Sequence, residues 1–139
     1  MDPRIESFLK SNDHCSIASI DKHGGFPHCV PISYLYKNGL IYIPTSSRSK
    51  KVSNFALNQK CCILVDVYEN EKGRGVMLQG SVIATTVHDF ENLKQLVEST
   101  TGWNLDKWKV GKFGEQRVDI IIVFRLQRWV VIGNLLHSS

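Results

Sequence analysis

The sequence predicts a mainly β (α+β) fold, an antiparallel sheet closed into a barrel with helices over its ends or one side. Three observations predict it. Runs rich in β-branched and aromatic residues recur along the chain, among them LIYIPT, CCILVDVY, VMLQGSVIATT and DIIIVFRL, and such side chains suit a pleated, half-buried surface. Most of these runs are joined by hairpin-length connections that carry Gly or Asn, the residues that accept the positive φ of a tight turn. The order of elements is helix, three strands, helix, two strands, helix, one or two strands, which suits an antiparallel sheet.

The elements follow in order. Residues 5–10 form a short helix with Ile5, Phe8 and Leu9 on one face and Pro3 near its start, where proline is tolerated. Residues 14–21 and 26–37 are extended runs joined through DKHGG, a β-hairpin, and Lys37-Asn38-Gly39 turns the chain again into LIYIPT. At residues 49–57 the period changes, with Val52, Phe55 and Ala56 spaced for a helix lying on a core. CCILVDVY resumes the sheet. Residues 70–75 read as a polar loop and residues 76–86 as a strand with Gly80 as a bulge. Asp89 stands as a cap for a helix over residues 90–99, whose apolar stripe is Phe90, Leu93, Leu96 and Val97. The segment 100–116 is irregular, residues 119–126 form the last clear strand, and WVVIGN closes the sheet.

At 139 residues the chain has the size of one domain, taken here as 1–139, with enough length to bury a core. It is 42% hydrophobic and 22% charged, and no apolar run approaches the roughly 18 to 20 residues of a membrane span. MDPRIESFLKSND is acidic from its second position and is no secretory signal, so a cytoplasmic location is expected. The net charge of +4 suits a phosphate-bearing small molecule as well as nucleic acid. The basic residues are dispersed and no nucleic-acid motif accompanies them, so neither nucleic acid nor membrane is expected as a partner. Of the four cysteines, Cys61 and Cys62 are adjacent and face opposite sides of a strand, a poor start for a disulfide framework.

The stretch PTSSRSKKVSNFALNQKCC, residues 44–62, carries the chemistry. Its first eight positions hold four hydroxyls and three positive charges where a strand ends and a helix begins. Two readings stay open. Ser47 or Ser49 is a helix cap beside a solvated basic face, or the free amides, the hydroxyls of Thr45, Ser46, Ser47 and Ser49, and the charges of Arg48, Lys50 and Lys51 receive an anion. No G-x-G-x-x-G, triphosphate loop or G-x-S-x-G is present. His14-Cys15 and His28-Cys29 raise a zinc site, but strand neighbours face opposite ways, and no metal is expected. Trp103, Trp108 and Trp129 serve packing, a subunit contact or the wall of a flat ligand's pocket.

GFPHCVPISY, IYIPTSSRSKKVSNFALNQKCCILVDV and VMLQGSVIATT, in this order and spacing, resemble the FMN-binding split-barrel family, the pyridoxamine 5′-phosphate oxidase-like proteins. The resemblance implies an antiparallel split β-barrel of about six strands with a few peripheral helices, and a flavoprotein that is a homodimer with cofactor at the subunit interface. It assigns Lys51, with Lys50 and Arg48 beside it, to the FMN phosphate, and Thr45 and Ser46 to the phosphate and ribityl region. His28, Cys29, Val30, Pro31 and Ile32 would lie along the isoalloxazine, and Asn54 would add a ribityl or phosphate contact. Residues around Arg74 to Gln79, or Trp129, would come from the partner copy. The implied activity is an oxidoreductase acting on an unidentified small-molecule substrate, with a nicotinamide donor to be tested.

Pyridoxamine 5′-phosphate oxidase activity itself is not expected. The family's enzymes of that activity carry an arginine on the second strand and an arginine and a histidine near the C-terminus. This chain has no arginine between Ile5 and Arg48 and ends in GNLLHSS, with His137 alone. Two further readings stand beside an FMN oxidoreductase: a reductase using the deazaflavin coenzyme, and a non-enzymatic flavin-binding or redox-sensing protein.

Overall fold

The computed structural model describes residues 1–86, 89–108 and 117–135. Its elements are α1 (Pro3–Lys10), β1 (His14–Ile20), β2 (Pro27–Ser33), β3 (Leu35–Lys37), β4 (Leu40–Thr45), α2 (Lys50–Leu57), β5 (Lys60–Glu69), β6 (Lys72–Thr86), α3 (Phe90–Thr101) and β7 (Ile120–Ile132), with a 3₁₀ turn at Leu105–Lys107. The strands form one seven-stranded sheet in the order β2-β1-β5-β6-β7-β4-β3. Every pairing is antiparallel. The sheet curls into a half-barrel, as the mainly β expectation required.

The predicted run 26–37 is two strands, not one. β2 and β3 are consecutive in the chain yet occupy opposite edges of the sheet, and Tyr34 is the single residue between them. Its side chain is buried and its hydroxyl donates to the Leu9 carbonyl at 2.7 Å. The chain itself therefore spans the seam of the barrel. Three other boundaries move. The loop at 70–75 shrinks to a turn at Asn70 and Glu71, both at positive φ, and Lys72 already pairs with Glu69. Residues 119–126 and WVVIGN merge into the long β7, giving seven strands where about six were expected. Asp89 precedes α3 but makes no side-chain capping bond. Gly80 does mark a register shift: a β-carbon there would fall 2.1 Å from the Arg125 carbonyl oxygen, a distance no side chain tolerates.

Two cores result. Inside the curl, Ile17, Ile32, Ile43, Ile63, Val65, Leu78, Ile122 and Phe124 pack together, with α1 contributing Ile5, Phe8 and Leu9 and α2 contributing Phe55. Outside it, α3 lays Val97 on Leu35, Tyr42, Ile121 and Val123, so the first half of β7 is buried on both faces. α2 packs on β1, and this sets the loop between β4 and α2 against the β1–β2 hairpin.

Candidate functional site

The loop between β4 and α2 is built from the end of a fully paired strand. Thr45 is opposite Ile120 in the ladder, and its carbonyl accepts the Asp119 amide at 3.1 Å. Its side chain is 0% exposed, and the hydroxyl oxygen has no hydrogen-bond partner. A buried polar atom left in this way costs about 1–3 kcal/mol. Ser46 is also buried, and its hydroxyl accepts the Arg48 amide at 3.2 Å. The Ser49 hydroxyl donates to the Ser46 carbonyl at 2.7 Å and makes no capping bond to α2. The serine-cap reading of the loop therefore fails at Ser49, whose oxygen is turned back into the loop.

The three cations differ in kind. Lys51, in the first turn of α2, is 4% exposed, whereas Arg48 stands in solvent. Lys50 is paired with the Asp21 carboxylate on the β1–β2 connection. The hydrogen bond from Lys50, then one from the His23 amide, holds the Asp21 carboxyl below its ordinary value. Asn54, fully buried, donates to the Ser19 hydroxyl at 3.0 Å and accepts the Lys22 amide at 3.2 Å. In this chain its side chain clamps α2 to the hairpin.

On β2 the expected residues alternate. Ile32 points into the core and is 1% exposed, while Cys29 and Pro31 face outward. His28 is half-buried, and its Nδ1 is enclosed without a partner. Register places Cys29, Ala18, Cys62, Gln79 and Arg128 in one row across β2, β1, β5, β6 and β7. The Gln79 amide oxygen accepts the Arg128 Nε at 2.5 Å. A cavity of about 440 Å³ lies along this row, with Pro27, Ala18, Cys62, Gln79 and Arg128 in its lining. Trp129, opposite Leu78, is 43% exposed.

Gln79 and Trp129 do not meet the loop within one chain. Thr85 pairs with Ile122, close to the Thr45 row, and Gln79 lies six residues back along β6, roughly 20 Å at the rise of a strand. His14 and His28 are likewise apart, paired with Ser33 and Ser19 at opposite ends of the β1–β2 ladder. Among the described residues, no group of three or more His, Cys, Asp or Glu could hold a metal ion. The thiols are free; burial pushes Cys15 up to about 12 and raises Cys61 and Cys62. His137 and part of the 100–116 segment lie outside the described residues.

Sequence reasoning missed Asp119. Its carboxylate accepts the Ser47 amide at 2.6 Å and the Ser47 hydroxyl at 2.7 Å, so an acid from the far end of the chain fixes the loop tip. No local pattern signals a contact between residues so distant in sequence.

The family model for pyridoxamine 5′-phosphate oxidase matches residues 1–119. The chain belongs to that family. No curated protein matches the sequence. Among solved structures, the chain is similar to an FAD-binding protein from Mesorhizobium loti, at 18% identity and TM-score 0.70, over 94% of this chain and 93% of that one. It is similar to the FAD binding protein from Mycobacterium smegmatis at 17% identity and TM-score 0.66, over 95% and 93%. It is also similar to an F420 reductase at 14% identity and TM-score 0.65, over 90% and 94%. At these identities the likeness is one of fold, and it extends over β7, beyond the residues that the family model matches. No helix among the described residues is long and apolar enough to cross a membrane.

Proposed function

We propose that this member of the family binds FMN in a homodimer and works as a flavin-dependent oxidoreductase on a small molecule, in the cytoplasm. The observation that carries the reading is the Thr45 hydroxyl, fully buried and unpartnered one turn of loop away from the buried Lys51. A phosphate oxygen would accept from that hydroxyl, and the Lys51 ammonium would bring its charge to the same dianion. Ser46 and Arg48 would border the phosphate. Lys50 would reach it only by leaving Asp21, and Asn54 would act through the position of α2.

The isoalloxazine would lie along His28 to Ile32, with the enclosed His28 Nδ1 as one polar partner. When bound, the flavin supplies hydride and electron transfer. The chain's own contribution is to bind, orient and exclude water. Because Gln79 and Trp129 are far from the loop of their own chain, they would serve the cofactor of a second copy. Support for that copy comes from the uncovered end of β7, where Trp129, Val130, Val131 and Ile132 are 43%, 48%, 41% and 45% exposed in one run. The deazaflavin coenzyme is the second reading, favoured by the fold shared with an F420 reductase.

The visible spectrum of the purified protein tests this directly. A yellow protein that releases FMN on denaturation, and that bleaches anaerobically with NADH or NADPH, is expected. Colourless protein that shows no calorimetric binding of added FMN would remove the reading, and binding of the deazaflavin coenzyme instead would replace it with the second. Lys51→Ala should weaken FMN by about 1.5–3 kcal/mol and riboflavin by much less. Equal losses for both ligands would take Lys51 away from the phosphate.

A further inference from the structure

We propose that Arg74 anchors a second binding site, for a small molecule that carries a carboxylate or phosphate on an apolar or aromatic body. Arg74 lies on β6 opposite Val67 of β5, near the β5–β6 turn. Val67 packs against the inner core, so the Arg74 side chain shares the inward face of the sheet at one end of the curl. The side chain is 16% exposed, and its Nε is enclosed without a hydrogen-bond partner. The nearest carboxylate, that of Glu69, approaches one terminal nitrogen only to 3.9 Å, beyond hydrogen-bond reach. A guanidinium has five N–H donors in a planar fork that matches a carboxylate or phosphate, and a mostly buried one with its Nε idle is an incomplete pairing.

Two cavities meet at this side chain. One, of about 830 Å³, is lined by Lys72, Gly73, Gly133 and Asn134 as well as Arg74. Its wall is backbone: a β-carbon on Gly133 would fall 2.5 Å from the Gly73 carbonyl oxygen and 3.1 Å from the Arg74 α-carbon. The other, of about 600 Å³, has Phe8, Val67 and Tyr68 in its lining, with His14 at its polar edge. Tyr68, 73% exposed, turns its ring to the other face of the sheet, against Gly73. The anionic head would take the Arg74 fork, with Lys72 on one side, and the apolar body would lie against Phe8 and Val67. Glu69 and Asp66 also face this region, and they limit the site to ligands whose charge is confined to one end. The site is separate from the β4–α2 loop of its own chain, and its test needs no flavin.

The test is a titration of the full-length protein with benzoate and phenyl phosphate at constant ionic strength, with benzyl alcohol as the uncharged control. The Arg74 Nε–H resonance, identified by its absence in Arg74→Met, should move saturably with at least one anion and stay still with the alcohol. The thermal midpoint should rise by about 5 °C at ten times Kd. Whichever anion binds tighter identifies the head group as carboxylate or phosphate. Arg74→Met should unfold at the same or a higher temperature without ligand, since it removes an unpaired buried group, and should lose the response to both anions. A resonance that ignores both anions, an equal response to the alcohol, or a full response in Arg74→Met would each overturn the proposal.

Discussion

The two halves of β7 have nearly the same apolar character, IIIVF against WVVI, and opposite surroundings. Residues 120–124 are buried on both faces, between the inner core and α3. Residues 129–132 are exposed on both faces, although the second half is still hydrogen-bonded to β6 through Met77, Val76 and Gly75. Hydrogen bonding to a neighbour thus sets the strand, and a covering layer decides whether its side chains leave water. One half has that layer in its own chain. The other half is built as if a layer existed, and in the proposed homodimer the second copy provides it.

The largest expected effect is on the covered half. Phe124→Ala should cost about 3–5 kcal/mol in urea unfolding, and a loss below 1 kcal/mol would mean that the inner core repacks around the gap. For the uncovered half the comparison predicts a different kind of change. Ile132→Lys should leave the unfolding of the isolated chain within about 0.5 kcal/mol while converting a dimer to a monomer in sedimentation. A dimer that survives this charge would place the contact elsewhere, and the symmetry of the argument about β7 would be lost. The smallest effect concerns the charged pair at the rim of the loop. Lys50→Ala should return the Asp21 carboxyl toward its ordinary value of 3.8, read by NMR titration. Because Lys50 lowers that value, the stability from the pair is present above pH 3.8 and is lost as pH falls through the lowered value, so the variant should lose the difference near neutrality and converge with the parent in acid.

Much of this was legible in the sequence where the signal is local. The helices at Ile5, Phe55 and Val97 follow from spacing, the Asn38-Gly39 turn from its residue types, and the bulge at Gly80 from a glycine inside a strand. The loop at Thr45 was visible as a composition, but not as a buried hydroxyl, because burial depends on β7 lying beside it. The break at Tyr34 was hidden, since the apolar pattern runs on through Ile32, Tyr34 and Tyr36 and the nearest proline, Pro31, lies inside β2 rather than at the break. The turn at Asn70 and Glu71 looks longer in the sequence than it is, because glutamate rarely takes positive φ and the polar and glycine residues after it look like a loop until pairing with β5 is known. The roles of Asp119 at the loop tip and Asn54 on the hairpin belong to the same class: both are side-chain bonds between distant segments.

The position of β4 also bears on the order in which the protein takes shape. β4 is paired with the three-residue β3 on one side and with β7, far along the chain at Ile120–Ile132, on the other. Thr45 and the loop after it therefore lack their flanking strand, and Ser47 lacks Asp119, until residues 119–125 have emerged from the ribosome. Pairings between such distant segments form slowly, because a long loop must close before any contact is gained. The β1–β2 and β5–β6 hairpins, joined through β1 and β5, can assemble first, with α2 at their side. The candidate cofactor loop then sets only once β7 is in place, and a flavin that captures it would act on that step of folding as well as on the finished protein.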